Sequence, residues 1–400
     1  MTSKPLAGIR VIEMGQLIAG PFAASVLAYF GAEVIKIEPP GKGDPLRGWR
    51  ARDKDGTSWW WHSIGRNKKS ITLDLRADQG RAVARRLIDR SDVLIENFRP
   101  GTLEKWGLGP DTFEASNPGL IVTRVSGYGQ TGPNASKPGF ASVCEAYGGF
   151  RYVNGFPDRP PVRPNLSLGD TLAALHAVMG TLLAIIARGK VADTGQVVDV
   201  AIYESVFNVM EGVVPEFSGG GEVREPSGST LTGIVPTNTY LCRDGHYVVI
   251  GANGDSLFVR LMEAAGRPDM AHDSRFADNA GRVQHEQGID AAISAWTAAN
   301  DAETVLRILD EAVVPAGPIY SVKDMFTDPH YRARGLFESV ALSDERQLEV
   351  PAIAPHLSKT PGGTQWGGPA LGAHNREVFS SLLSAEEIRT LQDSGVIDPF

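Results

Sequence analysis

Short apolar runs alternate with amphipathic segments at the amino-terminal end, and this pattern constrains the chain more than any other. "GIRVIEM" (8–14) reads as a buried strand and "GQLIAGP" (15–21) as a loop; Pro21 opens a helix through "FAASVLAYF", Gly31 ends it, and "AEVIKIE" (32–38) is the next strand. Proline suits a first helical turn, where its missing N–H costs nothing, and glycine suits a helix end. Strand, helix and strand in this order call for a parallel βαβ unit. The pattern repeats with the helix "DQGRAVARRLIDR" (78–90), the strand "DVLIENF" (92–98) and the strand "LIVTRVS" (120–126). The fold class is therefore α/β, with a parallel sheet covered on both faces by helices.

A single core does not usually extend over 400 residues, so two domains are expected. The composition changes at "EGVVPEFSGGGEVREPSGSTLTGIVPTN" (211–238), rich in glycine, proline and serine, which reads as a linker. "TYLCRDGHYVVIGANG" beyond it is a hairpin around Asp244–Gly245, and Ser384 with Glu387 forms a capping box near the carboxyl end. The net charge of −8, with basic residues scattered among acidic ones, argues against nucleic acid as the main partner. Two distant cysteines, Cys144 and Cys242, make no disulfide framework and point to a reducing, cytoplasmic setting. The first residues carry no signal-peptide pattern, and the longest apolar stretch, 172–187, is short for a bilayer and contains His176, so no membrane partner is expected.

Several motifs exclude chemistry. "GYGQTG" (127–132) matches GxGxxG after a strand, but Pro133 and Pro138 bracket the next residues and prevent the helix that a dinucleotide site requires. It reads instead as a glycine-rich turn at a strand's carboxyl end. Eight scattered histidines, with no HExxH, give no metal site, and no GxSxG elbow appears. The aromatic run Trp59–Trp60–Trp61 reads as packing. "GRNKKS" (65–70), with Arg66, Lys68 and Lys69, reads as a solvated turn and is left without a function.

One residue stands apart. In "NLSLGDTLAALHAVMGTLLAIIARGK" (165–190), Asp170 sits at the mouth of a helix expected over 171–187 that is apolar nearly all round. Aspartate is a preferred N-cap, able to satisfy orphan N–H groups of the first turn. A carboxylate there is also held ionised by the helix dipole, and an ionised, partly desolvated carboxylate is a competent nucleophile toward an activated acyl group. Gly169 before it removes bulk that would obstruct a ligand. Cap and nucleophile are compatible, and both readings stand.

At this point whole blocks match a family. "PLAGIRVIEMGQLIAGPFAASVLAYFGAEVIKIEPPGKGDPLRGW", "GRNKKSITLDLR", "SDVLIENFRPGTLEKWGLG", "VSGYGQTGP", "GDTLAALHAVMGTLLAI" and "PAGPIYSVKDMFTDPH" resemble, in order, the class III CoA-transferases of the CaiB/BaiF group. That resemblance implies a Rossmann-like large domain plus a smaller inserted α+β domain, in an interlocked ring-like homodimer. The large domain would occupy 1–210 and 335–400, with a linker at 211–229 and the small domain at 230–330.

The resemblance also assigns the site. Asp170 would be the nucleophile, forming a mixed anhydride and then an aspartyl-CoA thioester, with a CoA thioester as substrate and no permanently bound cofactor or metal. Gln16, Ile18, Ala19, Leu73, Asp74, Arg76, Asn97, Phe98 and Lys105 would line the CoA, and Gly251, Asn253 and Gly254 would form a lid offering oxyanion donors. Two positions depart from some members: Ile18 replaces a glutamine and Pro39 an arginine. The α-methylacyl-CoA racemases share the aspartate but carry a histidine where Phe140 stands, and a phenyl ring takes no proton. A non-catalytic CoA-binding protein is the third reading, opposed by the presence of Asp170. "GSTLTGIVPTNTY" looks like members that pass CoA from succinyl-CoA to small dicarboxylates. A second carboxylate would need a cation, for which Arg47, Arg50, Arg151 and Arg163 are candidates.

Overall fold

Six strands, β1 (Arg10–Glu13), β2 (Glu33–Glu38), β3 (Lys68–Thr72), β4 (Val93–Glu96), β5 (Ile121–Ser126) and β6 (Val197–Ala201), pair in parallel in the order β3-β2-β1-β4-β5-β6. This is seen in a computed structural model, which describes residues 4–342 and 345–400. The order is that of a doubly wound nucleotide-binding sheet, whose winding reverses between β1 and β4; ligands lie at the carboxyl ends of the strands there.

Side chains alternate across the sheet as a period of two demands. Val11, Val34, Val93 and Ile121 face a core shared with Leu27, Tyr29 and Ala184. Ile12, Ile35, Leu94 and Val122 face another shared with Val83, Leu87, Phe379 and Leu391. Helices α1 (Ala19–Tyr29), α2 (Trp59–Ile64), α3 (Asp78–Ile88), α4 (Thr102–Lys105), α5 (Ala141–Tyr147), α6 (Phe150–Val153), α7 (Leu168–Lys190) and α8 (Ile202–Phe207) complete this part of the chain. The carboxyl-terminal segment returns to it through a hairpin, Phe337–Ala341 with Gln347–Pro351, and through helices Asn375–Ser380 and Ala385–Asp393. The Ser384–Glu387 capping box is present. One compact unit thus comprises residues up to Phe150, Pro164–Glu211 and His330–Phe400.

The second unit comprises Arg151–Arg163, which takes in all of α6 but Phe150, and Gly212–Pro329. It holds α9 (Val213–Gly220), an antiparallel sheet of β7 (Thr237–Leu241), β8 (Tyr247–Gly251) and β9 (Ala316–Pro318), and helix α10 (Asp255–Ala264) among others. Gly245 takes φ +83° at the expected hairpin turn, a conformation that suits glycine. The stretch read as a linker is not plain coil, because α9 lies within it.

Two further expectations need correction. The "GRNKKS" run is no solvated turn but the approach to β3, with Arg66 and Lys68 buried. Distant carboxylates make that burial tolerable. Lys68 meets Glu13 at 2.8 Å, Lys36 meets Glu13 at 2.6 Å and Asp44 at 2.8 Å, and Arg47 meets Glu38 at 2.7 Å. Burial pushes the Lys68 ammonium down to about 8. For Lys36 burial acts in the same direction, but the Asp44, Glu13 and Glu38 carboxylates together outweigh it and the ammonium is held above its usual range.

Helix α7 also differs from expectation: it starts at Leu168, and it is buried on one stripe rather than all round. Ala173, Ala174, Ala177, Thr181 and Ala184 are buried, their small side chains allowing α1 to approach closely. Leu175, Met179, Leu183 and Ile186 are 48–59% exposed on the other side. At 23 residues α7 is long and apolar enough to cross a bilayer, but its alanine stripe is packed against α1 and the sheet.

The charged cluster supplies a stability test. Lys36→Met would leave buried Asp44 without a cation and Glu13 with Lys68 alone; it should cost about 3–5 kcal/mol in denaturant unfolding, and a loss below about 1 kcal/mol would contradict the pairing described.

Candidate active site

The loop after β1 lies at the reversal point of the sheet and is held from two sides. Asn97, just after β4, accepts the Gln16 N–H through Oδ1 at 2.8 Å and donates through Nδ2 to the Gln16 carbonyl at 2.8 Å. Both Asp44 carboxylate oxygens accept the Leu17 N–H, at 3.1 and 3.2 Å. Leu17 takes φ +65°, a left-handed conformation costly for leucine, so the Asp44 contact helps to keep the chain there. Gly15 suits this close packing, because a Cβ would lie 3.1 Å from Pro21 and 3.2 Å from Asn97.

Beside this loop a cavity of about 330 Å³ opens at the strand ends, lined by Gln16, Leu73, Asp74, Arg76 and Phe98, and also by Lys42 and Trp106. The Phe98 and Trp106 rings meet edge to face, with centroids 5.1 Å apart, and form an aromatic wall. The exposed Arg76 guanidinium folds back on Asp74 at 2.9 Å, and this bond holds the Asp74 carboxyl below its usual range.

The other expected contacts fall elsewhere. Ile18 and Ala19 are buried in the core, and Asn97 is occupied as the clasp between two loops. Lys105 is exposed on α4, outside the cavity lining.

Asp170 is not an N-cap. The helix begins one turn earlier, so Ser167 holds the cap position, without a side-chain cap bond, and Asp170 is the third helical residue. It therefore lies in the turn where the macrodipole favours a negative charge. The preceding Gly169 is buried, and its N–H donates to Glu145 Oε1 at 3.1 Å. Its smallness serves packing rather than ligand approach: a Cβ would meet Glu145 Cγ at 3.1 Å and Ile202 Cγ2 at 3.2 Å. The neighbouring Cys144 thiol is pushed up to about 11, first by burial and then by the Asp170 and Glu145 carboxylates.

The GYGQTG turn packs beside α5. Ser126 Oγ accepts the Gly129 N–H at 3.0 Å, and Asp199 Oδ2 accepts the Gln130 N–H at 2.9 Å. Gly127 is required by contact with Gly139, whose Cα a Cβ would approach to 2.8 Å. The helix that follows starts only at Ala141, so the loop forms no dinucleotide cradle.

In the second unit, Gly251 ends β8 and Gly254 is the N-cap of α10. Neither has a left-handed φ. A Cβ on Gly251 would meet nothing within 4 Å, and one on Gly254 only Leu257. The unit's own packing thus does not require glycine at either place. Buried Arg282 pins the loop by donating to the Asn253 carbonyl at 2.7 Å and to Asp255 at 2.8 Å. Among the described residues no group of three or more His, Cys, Asp or Glu is placed to hold a metal ion.

Sequence reasoning missed Asp44, named Arg47 only as a candidate cation and read Trp60 as packing. Asp44 had one local signal, an aspartate before Pro45, and its side chain does cap Leu46 N–H at 2.9 Å. Nothing local marks Arg47, whose partner Glu38 is on β2.

Comparison with known proteins adds to this geometry. The profile of CoA-transferase family III matches residues 6–375. The chain is 48% identical over 396 residues to a succinyl-CoA–D-citramalate CoA-transferase of Chloroflexus aurantiacus, covering 98% of each chain. It is 42% identical over 397 residues to the alpha subunit of a succinyl-CoA–L-malate CoA-transferase of Chloroflexus aurantiacus, covering 98% of this chain and 92% of the other. The crystal structure of a CaiB/BaiF family protein from Brucella suis superposes with a TM-score of 0.83 at 31% identity, covering 95% of this chain and 100% of that one.

The packing around Asp170 can be tested directly. Gly169→Ala should lower stability by about 1–3 kcal/mol, seen as a fall in Tm, because the new methyl must displace Glu145 or Ile202. An unchanged Tm would show that the turn has room the structure does not show.

Proposed function

The chain belongs to CoA-transferase family III, and from that premise we propose that it carries CoA from succinyl-CoA to a small dicarboxylic acid, with Asp170 as the acyl carrier. The observation that carries the reading is the placing of Asp170 in the first turn of α7, beside a Cys144 thiol that burial pushes above its usual range. The named substrates of the two Chloroflexus aurantiacus relatives, D-citramalate and L-malate, are the model for the acceptor class.

The proposed reaction has four displacements. An Asp170 oxygen attacks the donor thioester carbonyl, the C–S bond breaks, and CoA leaves as thiolate from a mixed anhydride. The thiolate then attacks the aspartyl carbonyl, and the donor acid leaves with the bridging oxygen, which came from Asp170. An acceptor carboxylate attacks the resulting aspartyl-CoA thioester, again expelling thiolate. The thiolate finally attacks the acceptor's acyl carbon, giving the new thioester and restoring Asp170 with one acceptor oxygen. Each covalent step divides a difficult transfer into easier ones. Thioester energy is kept throughout, so the balance calls for no nucleotide triphosphate.

Other parts follow from this assignment. The cavity beside Gln16 would take the CoA nucleotide, with Phe98 and Trp106 as its aromatic wall and Lys42 and Arg76 toward its phosphates. Gly251, Asn253 and Gly254 would give N–H donors to the developing oxyanion and exclude water, a part supported by glycines that local packing does not explain. The half-exposed face of α7 at Leu175, Met179, Leu183 and Ile186 would be covered by a second copy of the chain. A cytoplasmic location fits the two unpaired cysteines, both buried. Racemase chemistry is disfavoured by Phe140, which is 70% exposed beside α5 and carries no titratable group.

Asp170→Asn should lower transfer from succinyl-CoA to a panel of dicarboxylates by at least about 10³-fold while the Tm stays near that of the unmodified protein. Transfer that survives the substitution would remove the nucleophile assignment. Activity with no dicarboxylate on the panel would remove the acceptor class and leave the reaction type standing.

A further inference from the structure

A dicarboxylate brings a second carboxylate that takes no part in the transfer and calls for a cation of its own. Of the arginines that the sequence offers, two belong to the first unit, and the structure separates them. Arg47 is already engaged. It bonds Glu38 through Nε and Nη2, each at 2.7 Å, and the Pro369 carbonyl through Nη1 at 2.9 Å; its guanidinium lies 3.9 Å from the Trp61 ring centroid. Arg50 is different. It is exposed, it forms no ion pair among the described residues, and its guanidinium lies 5.0 Å from the Trp60 ring centroid.

The backbone presents Arg50 in an unusual way. Its φ is +56°, in the left-handed region that a long side chain rarely adopts. The surrounding loop is braced so that this conformation persists. The Arg47 carbonyl accepts the Ser58 N–H at 2.8 Å, and the Ala51 carbonyl accepts the Trp59 N–H at 3.2 Å. The Asp53 carboxylate takes the Thr57 N–H at 2.8 Å and the His62 ring at 2.8 Å. Strain held in this manner gathers where a group must be aimed.

Packing connects this loop to the reacting carboxylate. Trp60, Leu17 and Phe22 lie against one buried cluster that contains Ile18 and Trp61. Phe22 also lies against the cluster containing Ala19, Ala173 and Ala174, the latter two a turn beyond Asp170. Two buried clusters that share Phe22 thus lie between the Asp170 turn and Trp60, the ring beside Arg50.

Building on the CoA-transferase reading above, we propose that Arg50 is the specificity-determining residue that binds the distal carboxylate of the dicarboxylate. The Trp60 ring 5.0 Å away gives the cation an aromatic neighbour, and an arginine with no ion pair among the described residues can make a two-point contact with a carboxylate. Donor and acceptor acyl groups reach the same aspartate in turn, so one cation serves succinyl-CoA and the acceptor alike. The chemistry at Asp170 proceeds without it.

The test is the KM and kcat of the full-length enzyme, unmodified, Arg50→Gln and Arg50→Lys, with dicarboxylate acceptors and with butyrate, and with succinyl-CoA and butyryl-CoA as donors. Arg50→Gln should raise KM for succinyl-CoA and for the dicarboxylate about 10- to 100-fold, with kcat within about twofold and the butyrate parameters unmoved. Arg50→Lys should recover part of the loss, because it restores the charge but not the planar fork. An equal change for dicarboxylate and butyrate, or no change for either, overturns the Arg50 assignment alone. Unmodified enzyme that does not favour dicarboxylates over butyrate overturns the acceptor class, and the Arg50 assignment with it.

Discussion

Three cations and three carboxylates buried at the ends of β1, β2 and β3 organise the rest of this molecule. Lys36, Lys68 and Arg47 stand against Glu13, Glu38 and Asp44, all at 1% exposure or less except Arg47 at 13%. Such groups cost much to desolvate and are tolerated only when every charge finds a partner. What the fold gains is position. Asp44 takes the Leu17 N–H, the Arg47 guanidinium lies 3.9 Å from the Trp61 ring centroid, and Lys68 reaches the Pro21 carbonyl at 2.6 Å. The loop after β1, the first turn of α1 and α2 are therefore fixed relative to the sheet by one set of charges.

The long helix α7 has three duties on three parts of its surface. Its alanine stripe lets α1 pack closely, its first turn holds Asp170 where the helix dipole favours a carboxylate, and its far side is a half-exposed row of large apolar residues. The buried hydroxyls of Thr181 and Thr123, 2.7 Å apart, add a polar tie to β5 within the apolar contact. A helix of this composition suggests a membrane span or a deep core, yet here only one of its stripes is covered within the chain.

Most of the parallel sheet was legible because β1, β2, β4 and β5 each carry their own apolar, β-branched run bounded by helix or turn signals, whereas β3 was missed. The Asp244–Gly245 hairpin and the Ser384–Glu387 box were legible for the same local reason. "GRNKKS" was misread because its burial depends on Glu13 and Glu38, which lie on other strands and are invisible in a window around residue 68. The cap position expected at Asp170 falls instead at Ser167, because a helix boundary is set by one or two residues that pattern alone resolves poorly. Gly169 was credited with making room for a ligand, whereas its neighbours Glu145 and Ile202 come from α5 and α8. Arg47 and Arg50 look equivalent in sequence; Glu38 and Trp61 occupy the first, and only the folded chain shows it.

The account rests on Asp170 exchanging an oxygen with the acids that pass through the site. The most direct measurement is a single-turnover incubation with an acceptor dicarboxylate labelled with heavy oxygen in both carboxyl groups, followed by mass analysis of the peptide that contains Asp170. Covalent transfer through this side chain predicts that the peptide gains one heavy oxygen, located at Asp170. An unlabelled Asp170 after productive turnover would contradict the account.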